Sequence, residues 1–164
     1  MRYKVAPDPP ADIDGLARAQ RAVPRVPGSE DDCCTRLQDR LDLATRDDGR
    51  EWLTFLDALG LATETERGYR RTGRSPTEDT AAVAGDFRDR VFGAAELLDA
   101  LDAVDDGTLT VADGFADLRA VVPTWERNRH DDWERVWRER TRRLLDWAVL
   151  LGLATHDGDA YCPV

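Results

Sequence analysis

Lysine is almost absent from this 164-residue chain, where Lys4 stands beside 22 arginines. Serine is limited to Ser29 and Ser75, and histidine to His130 and His156. These gaps remove most of the groups used for nucleophilic catalysis and metal binding. No G-x-x-x-x-G-K-S/T, H-E-x-x-H, G-x-S-x-G or G-x-G-x-x-G motif occurs, so the chain reads as a non-enzyme that needs no cofactor. The three cysteines, Cys33, Cys34 and Cys162, form no C-x-x-C pair, and with two scattered histidines they make no zinc set. Neighbouring Cys33 and Cys34 would be strained as a disulfide, and idle buried thiols are expected. No run of 18 apolar residues exists, and the opening MRYKVAPDPP lacks the apolar stretch of a signal peptide. Both absences predict a cytoplasmic protein without a membrane partner.

What is abundant is charge of a particular kind. Aspartate outnumbers glutamate 24 to 9, and the net charge is −10. Short acids and pre-organised guanidinium groups hold water well, whereas lysine exposes a long apolar stem. The profile resembles that of haloarchaeal proteins, which work in molar salt. At about 1 M salt the Debye length is roughly 3 Å, so distant repulsion between an acidic protein and nucleic acid is screened. Only the local patch then decides what can bind. The 41% hydrophobic content is sufficient for a packed core.

Helical spacing organises the first half. The segment Pro10 to Val23 carries Ile13, Leu16 and Ala17 on one side, interrupted by Gln20. Pro24, Pro27 and Gly28 stop it, and Ser29 caps a second helix through EDDCCTRLQDRL. A third helix has Trp52, Phe55, Leu56 and Leu59 at i, i+3, i+4 and i+7, and stops at Gly60. Two extended runs come next, around a turn at Glu66 to Gly68. In the second half, Ser75 is placed to cap a helix through PTEDTAAVAGDFRDRVFGAAELLDALDAV, continuous or broken at Gly93. A strand Thr108 to Thr110, a helix ending before Pro123 and a loop PTWERNRHD come after it. A long helix over 132–150 then buries Trp133, Trp137, Leu144, Leu145, Ala148 and Leu151, and a hairpin turning at Asp157 to Asp159 closes the chain.

The phrase LGLAT occurs at Leu59 and again at Leu151. Aligning the two places Trp52 on Leu144, Leu53 on Leu145, Phe55 on Trp147 and Tyr69 on Tyr161, a match of structural roles that predicts an internal repeat. WLTFLDALGLATETERGYRR and LLDWAVLLGLATHDGDAYCP resemble the third helix and wing of winged helix-turn-helix domains, and LLDALDAVDDGTLTVADGFADL resembles their first helix, strand and second helix. The chain is thus identified as a tandem winged-helix protein of haloarchaeal type. The resemblance implies a mainly α fold with short β-hairpins (α+β), in two winged-helix-like domains over 1–76 and 77–164.

In that family the third helix usually enters the major groove while the wing touches the backbone or the minor groove. The resemblance therefore points to Arg135, Arg138 and Arg142, which fall at i, i+3 and i+7 away from the tryptophans, with Arg140 and Arg143 nearby. Segment 119–143 holds eight arginines against five acids. The first wing adds Arg67, Arg70 and Arg71, with Arg74 just beyond. An arginine fork holds a phosphate or a guanine edge with two hydrogen bonds. Duplex DNA is the first expected partner, for a transcriptional regulator or chromosome-associated factor. Against it, Arg138 can pair with Glu134, and Arg135 and Arg143 with Glu139. The third helix of the first half also shows Asp47, Asp48, Glu51 and Asp57, offset only by Arg46 and Arg50. Tandem winged helices also serve as protein-binding modules, so the alternative is a protein partner without DNA contact, and a homodimer is compatible with both.

Two further patterns stand apart from this frame. Asp102 to Asp113 fits an EF-hand register with Asp102 first, Asp106 fifth, Gly107 sixth and Asp113 twelfth, but Val104 offers no ligand at the third position. A winged-helix turn and strand explain the same letters, so no metal is expected. Of the five tryptophans, Trp125 sits in the loop beside Pro123 and is the best candidate for an exposed anchor or an interdomain wedge.

Overall fold

The computed structural model describes residues 5–105 and 107–164, in two compact units, Met1–Val91 and Phe92–Val164. In the first, three helices precede an antiparallel hairpin: α1 (Ile13–Ala22), α2 (Glu30–Leu41), α3 (Arg46–Ala58), β1 (Ala62–Thr65) and β2 (Gly68–Arg71). A fourth helix, α4 (Thr80–Arg90), completes it. The helix starts have identifiable causes. The Asp12, Ser29 and Thr45 side chains accept backbone N–H groups of Gly15, Asp32 and Asp48, and Thr45 with Asp48 forms a reciprocal capping box. Because Asp12 is the N-cap, α1 starts at Ile13, and Pro10 precedes the helix and packs where a side chain at Gly15 would lie.

The exit from α3 is set by Gly60. Its φ of 73° is left-handed, and the Leu61 N–H donates back to the Leu56 carbonyl at 2.9 Å, a Schellman-type stop. The chain then reverses into β1, which pairs with β2 in the register Ala62↔Arg71 to Thr65↔Gly68. Tyr69 of β2 exchanges both backbone hydrogen bonds with Gly28, so the segment between α1 and α2 supplies a third, one-residue strand. Tyr69 is buried, and that burial pushes its hydroxyl up to about 12. Leu16, Leu37, Leu53, Phe55 and Leu56 are fully enclosed.

The expected division at residue 76 differs from these compact units because α4 groups with the first. Arg74 bonds Asp86 of α4 at 2.5 Å, and Arg90 of α4 approaches Asp57 of α3 at 3.8 Å. The helix expected from Ser75 begins only at Thr80. Ser75 instead accepts the Glu78 N–H and donates its own to Asp79, which forms a turn.

The second unit contains α5 (Ala94–Asp102), α6 (Val111–Arg119), α7 (Thr124–Arg129), α8 (Trp133–Leu150), β3 (Ala154–Asp157) and β4 (Ala160–Pro163). Gly93, at φ 87°, breaks the helical run before α5. The strand expected over 108–110 shortens to Leu109, which exchanges backbone hydrogen bonds with Tyr161 at 2.7 and 2.8 Å. Thr110 then caps α6. The stretch expected as a loop after Pro123 contains the helix α7, where Pro123 accepts the N–H groups of Glu126 and Arg127. Trp137 and Trp147 are fully buried, and Phe115, Leu118, Val122 and Trp137 pack together between α6 and α8.

The two halves coincide in detail. The strands of the second hairpin each begin and end 92 residues after those of the first. Gly152 takes φ 76°, and Leu153 N–H donates to Ala148, repeating the Gly60 exit at the same interval. Each unit is a winged helix, with α7 additional in the second.

Two glycines test this packing. A Cβ at Gly49 would lie 2.3 Å from the Cys34 carbonyl oxygen, backbone that cannot swing aside, so α2 and α3 cross where only glycine fits. Gly85 in α4 has nothing near its missing Cβ. Urea unfolding at fixed KCl is expected to show Gly49→Ala destabilising by about 1–3 kcal/mol and Gly85→Ala stabilising by about 0.5–1 kcal/mol.

Candidate nucleic-acid interface

Helix α8 sorts its arginines by face. Trp137, Thr141, Leu144, Leu145 and Ala148 are buried along one side. Arg135, Arg138 and Arg142 project from the other and line a groove of about 410 Å³ with Val111 of α6 and Glu139. Their helical spacing predicts one shared face, and the structure brings them together there. They differ in engagement. Arg135 bonds Asp132 one turn earlier through Nε at 3.0 Å, which holds the Asp132 carboxyl below its ordinary range. Arg142 lies between Glu139 and Asp146, with Nε at 3.2 Å and Nη1 at 2.9 Å from their oxygens, and its hydrogen bond likewise lowers Glu139. Arg138 is exposed and rests its guanidinium over Phe115 at 5.1 Å. Among the described residues it has no carboxylate partner. The Glu134 expected for it instead bonds Arg119 of α6 at 2.9 Å.

Arg140 and Arg143 are placed differently. Arg140 lies three residues after Trp137 and four before Leu144, so its spacing already put it on the tryptophan side. Its side chain is only 18% exposed, pairs with Glu126 of α7 at 3.4 Å and covers the Trp137 ring at 4.8 Å. Arg143 approaches Glu139 at 3.7 Å, as expected. Arg119 and Arg127 were not foreseen from the sequence, and their guanidinium groups lie 5.0 and 4.8 Å from the Trp133 ring centre. Arg127 sat in an expected loop, and its partner is on another helix, so nothing local signalled it.

At the base of the second wing, Tyr161 donates its hydroxyl to Asp146 at 2.5 Å, the same carboxylate that holds Arg142. Burial, then this hydrogen bond, pushes the Tyr161 hydroxyl up. His156 lies 3.6 Å from Asp146. The acid that restrains Arg142 is therefore itself fixed by the wing.

The first unit presents a different surface. On α3, Asp47 is exposed and Asp48 and Glu51 half-buried. Arg46 pairs with Asp31, and Arg50 with Glu30 at 3.1 Å. This helix face is acidic and its cations are already engaged. Arg67 and Arg70 stand exposed on the first wing. Arg71 is half-buried and faces Arg25, Arg21 and Arg40, whose like charges add to burial in lowering its pKa. Arg74 turns inward and donates to the Leu59 carbonyl at 2.9 Å.

Of the EF-hand register, Asp106 lies outside the described residues, while Leu109 pairs with Tyr161 and Thr110 caps α6. Among the described residues no group of three or more His, Cys, Asp and Glu side chains could hold a metal ion, and no helix is long and apolar enough to cross a membrane. Cys33 and Cys34 are buried free thiols that burial pushes up. Trp125 of α7 is 50% exposed.

A family model described as the Halobacterial double winged helix domain matches residues 1–164. No curated protein and no solved structure matches the chain.

Arg140 and Glu126 join α7 to α8 out of water. Arg140→Gln removes the guanidinium that lies 3.4 Å from the 3% exposed Glu126 side chain and is expected to cost about 1–3 kcal/mol in urea unfolding. Arg138→Gln, on the open face, is expected to change stability by less than about 0.5 kcal/mol.

Proposed function

We propose, because the chain belongs to the Halobacterial double winged helix domain family, that its second unit binds duplex DNA as a transcriptional regulator or chromosome-associated factor. The observation that carries this reading is the groove beside α8, where Arg135, Arg138 and Arg142 converge and Glu139 is the one acid in the lining. Arg138 meets DNA without first releasing a carboxylate. Arg135 holds its acid at an exposed pair, its side chain 78% accessible, and such a pair contributes at most about 1 kcal/mol, whereas Arg142 is shared between Glu139 and the 20% exposed Asp146. A phosphate can replace the Asp132 carboxylate at little cost. Because their guanidinium groups are already aimed by neighbours, contact with the backbone suits Arg135 and Arg142, and Arg138 suits a base edge. Arg140 belongs to the core of this unit and not to the contact. The chemistry is binding rather than catalysis, in a salt-adapted cytoplasmic protein.

The acidic α3 surface favours a second role for the first unit. With Arg46 and Arg50 already paired, this helix repels phosphate at close range and suits a protein partner with a basic surface. The two roles occupy different units and are compatible.

Fluorescence anisotropy of a labelled duplex in 1 M KCl tests the DNA reading. Wild-type protein is expected to bind, Arg138→Gln to weaken binding at least about fivefold, corresponding to ~1 kcal/mol, and the triple Arg135, Arg138 and Arg142 to Gln variant to abolish it. Equal binding by the folded triple variant, or no binding by the wild type, overturns the proposal and leaves the protein partner as the reading.

A further inference from the structure

The first unit contains a second arginine cluster outside the α8 groove, and it includes Arg70 and Arg71 of the first wing. The end of α1, strand β2 and the segment 72–77 border an open cavity of about 520 Å³. Arg21, Arg25, Arg70, Arg71 and Arg74 line it, and among the described residues no acidic side chain does. Arg74 is committed to Asp86 and the Leu59 carbonyl. The others are not: among the described residues Arg21, Arg25, Arg70 and Arg71 have no ion-pair partner, nor has Arg40, which faces Arg71 from α2. This is unexpected in a chain where acids outnumber bases 33 to 23. Elsewhere in the same unit Arg46 and Arg50 each have a carboxylate.

The cluster is held in place by backbone. Arg71 N–H donates to the Pro24 carbonyl at 2.8 Å, which ties β2 to the turn bearing Arg25. Gln20, buried in α1, donates its amide to the carbonyls of Leu61 at 3.1 Å and Arg74 at 2.7 Å, which fixes the far wall. The fold thus places the backbone of these arginines around one site, while the side chains of Arg21, Arg25 and Arg70 are exposed. Arg71 shows the cost. Its Nε is enclosed without a hydrogen-bond partner, and the surrounding guanidinium groups destabilise its charge. A buried donor without an acceptor is unfavourable by about 1–3 kcal/mol, more when charged, and an oxyanion supplies the missing acceptor.

We infer that this cavity binds a small phosphorylated anion, held by the guanidinium groups of Arg21, Arg25, Arg70 and Arg71. The volume lies within the range of small-ligand pockets. Guanidinium forks favour oxyanions that accept two parallel hydrogen bonds over the spherical chloride of the surrounding salt. The inference does not depend on DNA binding by the second unit.

Isothermal titration of pyrophosphate into the full chain in 1 M KCl tests it. Saturable binding at one site per chain is expected, weakened at least tenfold by Arg71→Gln and by Arg25→Gln, and unchanged in the triple Arg135, Arg138 and Arg142 to Gln variant. Arg25 is exposed, so its variant keeps the test valid if Arg71→Gln fails to fold. Absence of saturable binding, wild-type affinity in a folded Arg25→Gln variant, or loss of binding in the triple variant overturns the assignment.

Discussion

In each unit a left-handed glycine directly after the third helix sets the path of the wing. Gly60 and Gly152 end their helices with the same pair of backward hydrogen bonds and turn the chain in the same sense. Because the turn is fixed, the two strands beyond it start at a fixed distance from the helix, and the second residue of the returning strand is a tyrosine in both. That residue meets the segment between the first and second helices, Gly28 in one unit and Leu109 in the other. A β-branched or bulky residue at the glycine would oppose the positive φ, and the wing would lose its attachment to the rest of the unit. The repeated LGLAT is therefore a repeated geometry, with leucines for the core and glycine for the reversal.

Charge is distributed over this frame in three different ways. Along α8 the arginines alternate with acids of their own helix, so the groove is positive yet its members are mostly restrained. Between α7 and α8 the Glu126 and Arg140 pair is withdrawn from water and acts as part of the packing. Around Arg71 cations gather without acids. A net charge of −10 describes none of these sites, since in molar salt each is felt only within a few ångströms.

The helices of both units were legible because their information is local. Trp52, Phe55, Leu56 and Leu59 repeat at helical intervals, and the cap Ser29 and the stop Gly60 stand where the apolar stripes begin and end. The arginine groove was legible for the same reason, as three residues on one face of one helix. What failed to appear in the sequence depends on tertiary pairing. The TWERNR segment has no apolar period, and its helix lies against α8 through Glu126, 14 residues from Arg140. The partner of Glu134 proved to be on α6. Arg21, Arg25, Arg40 and Arg71 converge from two helices, a turn and a strand, a juxtaposition that no spacing rule contains.

Gln20 first stood out as a polar flaw in the apolar stripe of α1. Its amide faces the carbonyl oxygens of Leu61, Thr72 and Arg74, and it is neutral, so salt leaves its hold nearly unchanged while it weakens the charge pairs on the surface. It also marks a limit to acidification. The drift from amide to carboxylate that enriches a salt-adapted surface in acids must stop at this position, where a carboxylate would confront three oxygens and repel each of them.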